Sequence, residues 1–338
     1  MTENKSQKFD EKILIVKNLR THFFSREGIL KAVDGLEFDL KSGEILGIVG
    51  ESGCGKSVTA QSILRIVPKN GQTIDGKILY KLNDRYVDLV KMGEESKEIR
   101  GIRGKEISII FQEPMTSFSP VHTIGNQITE TILLHQNVTK KQARNEAISI
   151  LDRVGMPNPA GSIDEYPFNL SGGMRQRAMI AMALSCRPKI LIADEPTTAV
   201  DVTIQAQVLK LIREIQGELG MAVIMITHDL GVIAEIADSV LVMYLGKQIE
   251  SGPVDGIFHA PRHPYTQGLL NSIPRLSRGR QEIKPIEGVV PSPYELPTGC
   301  KFHPRCPKFL LGICDVAEPD VTIVSDQHRV SCFLYQRG

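Results

Sequence analysis

The segment Gly50-Glu51-Ser52-Gly53-Cys54-Gly55-Lys56-Ser57 follows directly on an apolar run, Ile45-Leu46-Gly47-Ile48-Val49, and Val58 to Val67 after it reads as a helix. The segment fits GxxxxGK(S/T), and a strand before it with a helix after it is the context that this pattern requires. Glycines let the backbone turn its N–H groups inward around an anion, and the helix N-terminus adds its dipole. Lys56 is then placed to reach the β- and γ-phosphates of a nucleotide, and the Ser57 hydroxyl to complete a Mg²⁺ shell. The competing explanation is an ordinary Gly-rich turn before a helix, and the rest of the chain argues against it.

At 338 residues the chain has room for two domains, or for one with a large extension. Hydrophobic residues make up 41%, enough for a substantial core. The 40 basic and 39 acidic residues nearly cancel, so no global field argues for nucleic acid as a partner. No apolar stretch approaches the roughly 18 residues that cross a bilayer. Met1 to Lys12 is polar and charged, without the apolar segment of a signal peptide. The expectation is a soluble, cytoplasmic protein that works at a membrane only through a partner.

Along the chain, Ile13 to Leu40 alternates in short runs around a turn at Arg26-Glu27-Gly28, which predicts antiparallel strands. Gly71 to Gly104 is rich in Lys, Asp and Gly and predicts a surface sheet with loops, and Glu106 to Phe111 a buried strand. Ile124 to Gln136 and Thr139 to Val154 carry helical spacing, with Thr139 as N-cap and Gly155 as C-cap of the second. Strand and helix then alternate: strand Lys189 to Ala193, helix Thr203 to Leu219, strand Met221 to Ile226, helix Asp229 to Ile236, strand Ser239 to Tyr244. Such alternation predicts a mostly parallel sheet covered by helices. From about Pro253, prolines and histidines rise and long periodic segments stop, which places a domain boundary there.

Two further motifs carry chemistry. Ile190-Leu191-Ile192-Ala193-Asp194-Glu195 is an apolar strand ending in two acids. Alone it is a common pattern. Downstream of a phosphate loop, Asp194 is suited to hold Mg²⁺ through water, and Glu195 to polarise an attacking water as general base. Leu170-Ser171-Gly172-Gly173-Met174-Arg175-Gln176-Arg177 starts an apolar helix with exposed N–H groups, either a second anion site or a plain Ser-capped helix.

In order, these motifs resemble those of the ATP-binding subunits of ABC transporters, over about residues 13 to 255. Walker A is Gly50 to Ser57, the Q-loop is Phe111-Gln112-Glu113, the signature is Leu170 to Gln176, and Walker B is Ile190 to Asp194 followed by Glu195. Thr198-Ala199-Val200-Asp201 matches the D-loop, with Val200 where Leu is usual, and His228 in Thr227-His228-Asp229 matches the H-loop. The resemblance implies an α/β P-loop NTPase fold of the ABC ATPase type over residues 1–255: a mostly parallel sheet, an antiparallel β subdomain, and an inserted helical subdomain at about 113–170. It implies ATP contacts at Gly50, Ser52, Gly53, Cys54, Gly55, Lys56, Ser57 and Val58, and at Ser171, Gly172, Gly173, Gln176 and Asp201. Ser57, Gln112 and Asp194 are the implied Mg²⁺ residues, and Glu195, His228, Gln112 and Lys56 the implied catalytic ones. Phe23 lies about where the family keeps an adenine-stacking aromatic, although Phe23 or Phe24 could equally be core. Cys54 reads as packing, with a possible sensitivity to thiol reagents. By the same resemblance two chains sandwich two ATP molecules, the signature of one closing over the phosphate loop of the other.

The remainder, 256–338, resembles the C-terminal extension of oligopeptide/dipeptide (and nickel) importer ATPases, through His263-Pro264-Tyr265-Thr266-Gln267-Gly268-Leu269-Leu270 and Gly299-Cys300-Lys301-Phe302-His303-Pro304-Arg305-Cys306-Pro307. Met115 to Gln127 fits the same subgroup. Cys300, Cys306, Cys314 and Cys332 run C-x5-C-x7-C-x17-C. Four thiolates suit a 4Fe–4S cluster or tetrahedral Zn²⁺, and the tight cysteine pairs usual for zinc are absent. Members of the subgroup with these cysteines bind a cluster; free buried thiols are the third option. A structural staple is the expected role. His303 and His328 are expected as surface histidines rather than ligands.

The resemblance further implies two transmembrane permease subunits, an extracytoplasmic substrate-binding protein, and a second ATPase subunit, with a paralogue favoured over a second copy. The place of work is then the cytoplasmic face of the cell membrane. Dipeptides, longer peptides, nickel and oligosaccharides remain open as substrates. A soluble, non-transport ABC ATPase is disfavoured, because no second cassette or long coiled coil is present. An iron–sulfur redox enzyme lacks any second cofactor motif.

Overall fold

A computed structural model describes residues 11–112, 117–197, 202–272, 286–325 and 327–336. The chain divides into two compact units. One, here the loop unit, comprises Lys12–Leu40, Ile45–Lys91 and Thr227–Gly338; the other, the acid-strand unit, comprises Met1–Glu11, Lys41–Glu44 and Met92–Ile226.

The loop unit contains an antiparallel sheet in the order β2-β1-β4-β5, from β1 (Lys12–Ser25), β2 (Gly28–Lys41), β4 (Gly71–Leu82) and β5 (Arg85–Asp88). Leu14 pairs with Tyr80 and Val16 with Ile78, so the apolar positions of β1 and β4 bury together. A second run of strands follows the order β11-β12-β10-β9-β3, from β3 (Ile45–Val49), β9 (Ser239–Tyr244), β10 (Lys247–Pro253), β11 (Val321–Ser325) and β12 (His328–Ser331). β3 and β9 are parallel, and β3 is buried at every position, which is why it reads as one uninterrupted apolar run. The strands β10, β12 and β11 add antiparallel pairs.

Sequence periodicity predicted no strand after Tyr244. The two outermost strands are four and five residues long and β11 is half exposed, too short and too wet for an apolar pattern to register.

The acid-strand unit holds three parallel strands in the order β8-β7-β6: β6 (Ile107–Ile110), β7 (Ile190–Asp194) and β8 (Ala222–Ile226). Helices Ile124–His135 and Lys140–Arg153 pack together. The first buries Ile124, Ile128 and Ile132, the second Ala143, Ala147 and Leu151, each a stripe at four-residue spacing. Fully burying one such isoleucine contributes about 2 kcal/mol. Thr139 caps the second helix through a capping box with Gln142, as its sequence predicts. Gly155, with φ 73°, follows the cap residue Val154.

One expectation is corrected. His328 was expected at the surface, and it is buried, its Nε2 2.8 Å from Oε1 of the fully buried Glu250. The same carboxylate accepts the backbone N–H groups of Arg262 at 2.6 Å and His263 at 2.9 Å. Three hydrogen bonds offset the cost of burying this carboxyl group. His303 is half-buried, its Nδ1 3.0 Å from the carbonyl of Cys300.

Candidate nucleotide site

In the loop unit, β3 runs into Gly50–Ser57, and the helix Lys56–Ile63 follows. Two glycines are forced by space as well as by φ. A Cβ on Gly50 (φ 154°) would lie 2.3 Å from the Met243 carbonyl oxygen, and one on Gly55 (φ 103°) 2.1 Å from that of Ala32. Ser52 and Gly53 are exposed at the crown of the loop, and Ser57 and Val58 are half-buried on the first turn. Lys56 is buried, and its Nζ donates to the carbonyls of Gly50 at 2.8 Å and Glu51 at 3.2 Å. Its cation is thus folded over the loop that would hold phosphate.

Cys54 is buried, and burial pushes its thiol above the ordinary range, with Lys56 opposing. Its burial fits the reading of Cys54 as packing. Phe23 is half-buried, and its ring lies so close to Gly71 that a Cβ there would meet it at 2.7 Å. Phe24 is 46% exposed, so neither ring belongs to the core.

His228 is exposed, on the turn between β8 and the helix Leu230–Ile236. Its neighbour Asp229, which the motif reading left without a role, fixes that turn. The Asp229 Oδ1 accepts from the N–H of Gly231 at 2.8 Å, and its own N–H donates to Thr227 Oγ1 at 3.0 Å.

In the acid-strand unit, Asp194 closes β7 and is 5% exposed. Glu195 takes a left-handed φ of 47° and donates its N–H to the Ile226 carbonyl at 2.8 Å. That conformation is uncommon outside glycine, and it turns the side chain out of the strand line. Gln112 Nε2 donates to Glu195 Oε2 at 3.0 Å, so the structure brings together two residues far apart in sequence. Ser171 caps the helix Gly172–Leu184, accepting from the Met174 N–H at 3.3 Å, and Gly172 faces open space. Gln176 is 1% exposed, and its amide donates to the Pro196 carbonyl; it ties the signature helix to the segment after Glu195. Asp201 with Thr198 to Val200, Glu113, and Met115 with Thr116 lie outside the described residues.

In the tail, Cys314 and Cys332 are buried and Cys300 and Cys306 half-buried. Burial raises the thiols of Cys300 and Cys306 and pushes Cys332 up to about 11. The charges of Cys300, Cys306 and Cys314 push Cys332 further in the same direction. Among the described residues no group of three or more His, Cys, Asp or Glu is drawn together as a metal ion needs.

The model of the ABC transporter family matches residues 33–198, and that of the oligopeptide/dipeptide transporter C-terminal region matches residues 249–314. The dipeptide transport ATP-binding protein DppD of Bacillus subtilis is 51% identical over 325 residues, covering 96% of this chain and 95% of that protein. The chain belongs to the ABC transporter ATP-binding proteins. The ABC subunit is also 49% identical to the oligopeptide transport ATP-binding protein AppD of the same organism, over 96% of this chain and 97% of that one. Among solved structures, a dimeric ATP-binding cassette bound to ADP and Pi has a TM-score of 0.63 at 23% identity, over 71% of this chain and 98% of that one. A Clostridium perfringens cassette, part of an ABC transporter complex, has a TM-score of 0.60 at 27% identity, over 74% and 92%.

The fold is therefore the α/β ABC ATPase fold. As a member of this family the subunit hydrolyses ATP in a transporter, with Mg²⁺ as cofactor. Among the described residues no helix is long and apolar enough to cross a membrane.

Proposed function

We propose that this subunit drives the import of dipeptides or oligopeptides through two transmembrane permease subunits fed by an extracytoplasmic binding protein, at the cytoplasmic face of the membrane. One observation carries the reading: similarity to peptide-transport ATPases runs through the cassette and on through the C-terminal region. The two family matches also support a cassette over 1–255, with the helical subdomain at about 113–170, and an extension over 256–338. Purifying the assembled transporter and identifying the ligand on its binding protein tests the substrate. Peptides are expected, whereas nickel or an oligosaccharide would overturn the assignment.

In the mechanism, Lys56 leaves the loop carbonyls for the β- and γ-phosphates, and the loop N–H groups from Gly50 to Val58 take the remaining oxygens. Phe23 stacks on the adenine. Glu195, oriented by Gln112, accepts a proton from the attacking water. His228 contacts the γ-phosphate. Ser57, Gln112 and Asp194 are hard oxygen donors, the kind Mg²⁺ selects, and Mg²⁺ supplies charge neutralisation when bound. Ser171, Gly172 and Gly173, with Gln176 bracing their helix, act on the nucleotide of a second ATPase subunit, and Asp201 is proposed to contact it too. We favour a paralogue as that subunit; mixing purified subunits and measuring which pairs hydrolyse ATP decides it. Closure on ATP and opening after hydrolysis is a two-state switch passed to the permeases.

For the tail we propose a 4Fe–4S cluster on Cys300, Cys306, Cys314 and Cys332, acting as a staple. The spacing of the four cysteines and the partial or full burial of each support it. Anaerobic purification with iron, sulfide and zinc assays tests it. Iron and sulfide in equal amounts are expected, and zinc or no metal would overturn it.

A further inference from the structure

Glu51 is the only acidic residue in the Gly50–Ser57 loop, and a carboxylate there opposes the binding of a polyphosphate. The structure answers this from the far end of the chain. Arg305 grips the carboxylate with both arms, Nη1 to Oε2 at 2.7 Å and Nη2 to Oε1 at 3.1 Å. Its side chain is 4% exposed and that of Glu51 26%, so the pair is largely withdrawn from solvent. Arg305 is itself fixed. Nη1 donates to the Tyr244 hydroxyl at 3.3 Å, Nε to the Glu287 carbonyl at 3.2 Å, and the guanidinium lies 5.9 Å from the centre of the Tyr244 ring. The backbone of Glu51 is held as well, its N–H donating to the hydroxyl of the buried Tyr265 at 2.9 Å. Tyr244, Tyr265 and Phe302 pack ring against ring, with centroids 4.7 to 5.3 Å apart.

We propose that Arg305 and Tyr265 are positioning residues of the nucleotide loop, supplied by the C-terminal region. Arg305 neutralises Glu51 and turns its carboxylate away from the anion cradle, and Tyr265 fixes the backbone on which that carboxylate hangs. The inference rests on reading Gly50–Ser57 as the phosphate loop. It makes the C-terminal region part of the nucleotide site rather than an appendage. A bidentate, buried arginine–carboxylate pair holds a geometry that lysine cannot reproduce.

The test uses the purified full-length chain and titration with a fluorescent ATP analogue and Mg²⁺. Arg305→Met is expected to raise the dissociation constant roughly tenfold, because it leaves a carboxylate uncompensated beside the phosphates. The double variant Glu51→Gln with Arg305→Met is expected to recover most of that loss, which simple damage to the tail would not permit. Parental affinity in Arg305→Met, or a double variant as weak as the single one, would overturn the proposal. Should Arg305→Met fail to fold, Arg305→Lys and Tyr265→Phe decide in its place. Severalfold weaker binding in both supports the assignment, and parental binding in both overturns it. Lys56→Ala is measured alongside. If it binds nucleotide normally, the phosphate-loop reading has failed, an outcome distinct from any result at Arg305.

Discussion

Each half of the nucleotide machinery carries a glutamate beside a glycine-rich or strained turn, and the two are held in opposite ways. Glu51 is locked by a buried guanidinium through two charged hydrogen bonds. Glu195 accepts from a neutral amide, that of an exposed Gln112, on a left-handed backbone. The first arrangement suits a charge that must be silenced. The second suits a charge that must exchange a proton and respond to a loop. The kind of partner therefore differs between the carboxylate proposed as structural and the one proposed as the base, although both are glutamates in nucleotide motifs.

Breaking the reactive side should give the largest effect. Glu195→Gln keeps the amide contact but removes the base, and steady-state ATP turnover is expected to fall roughly a hundredfold or more while nucleotide binding persists. Unchanged turnover would remove Glu195 as the base and erase the contrast. On the silenced side, Arg305→Met should cost about 2 kcal/mol in denaturant unfolding, the lower end for a broken buried pair because Glu51 keeps some exposure. A loss of only a few tenths would mean that the pair behaves like a surface contact.

These two glutamates also mark what could be read from sequence. The phosphate loop, the acid strand and the signature were legible because their chemistry is contiguous: a turn, its glycines and its lysine lie within eight residues. Buried parallel strands were legible for a similar reason, since both faces are apolar. The Arg305–Glu51 pair was not, because its partners are 254 positions apart and each looks like an ordinary surface charge in its own segment. The burial of His328 on Glu250 escaped notice in the same way, across 78 positions. Gln176 carried a familiar position in the signature, but only packing could reveal that its amide is spent on Pro196. Local pattern encodes what one segment does to a ligand; it does not encode which distant segment restrains it.

Gln112→Ala sharpens the comparison at smaller scale. Loss of one exposed hydrogen bond from an amide to a carboxylate is worth about 1.5 kcal/mol, so ATP turnover should fall by roughly tenfold if positioning Glu195 is all that Gln112 does. A loss as large as that of Glu195→Gln would mean that Gln112 touches the reacting groups directly, and the restraint on Glu195 would then be a by-product.

The smallest effect tests whether the silenced side depends on pH. His263 precedes the helix Pro264–Asn271 and its Nδ1 accepts the N–H of Tyr265 at 3.0 Å, the residue whose hydroxyl receives the Glu51 N–H. Burial pushes His263 down to about 3 from 6.5, since a proton on Nδ1 would be both desolvated and aimed at a donor. A depressed folded value means that the unfolded chain binds the proton first, so this stabilisation is complete above the unfolded value and is lost progressively as pH falls from about 6.5 towards 3. Between pH 7 and pH 6 the loss from this one group is about 0.7 kcal/mol. His263→Asn keeps an acceptor at the helix start without a titrating ring, and unfolding free energies measured at both pH values should show that increment removed. An unchanged difference would mean that His263 is protonated or exposed before the helix opens, and that Tyr265 is anchored by its ring contacts with Tyr244 and Phe302 rather than by its cap.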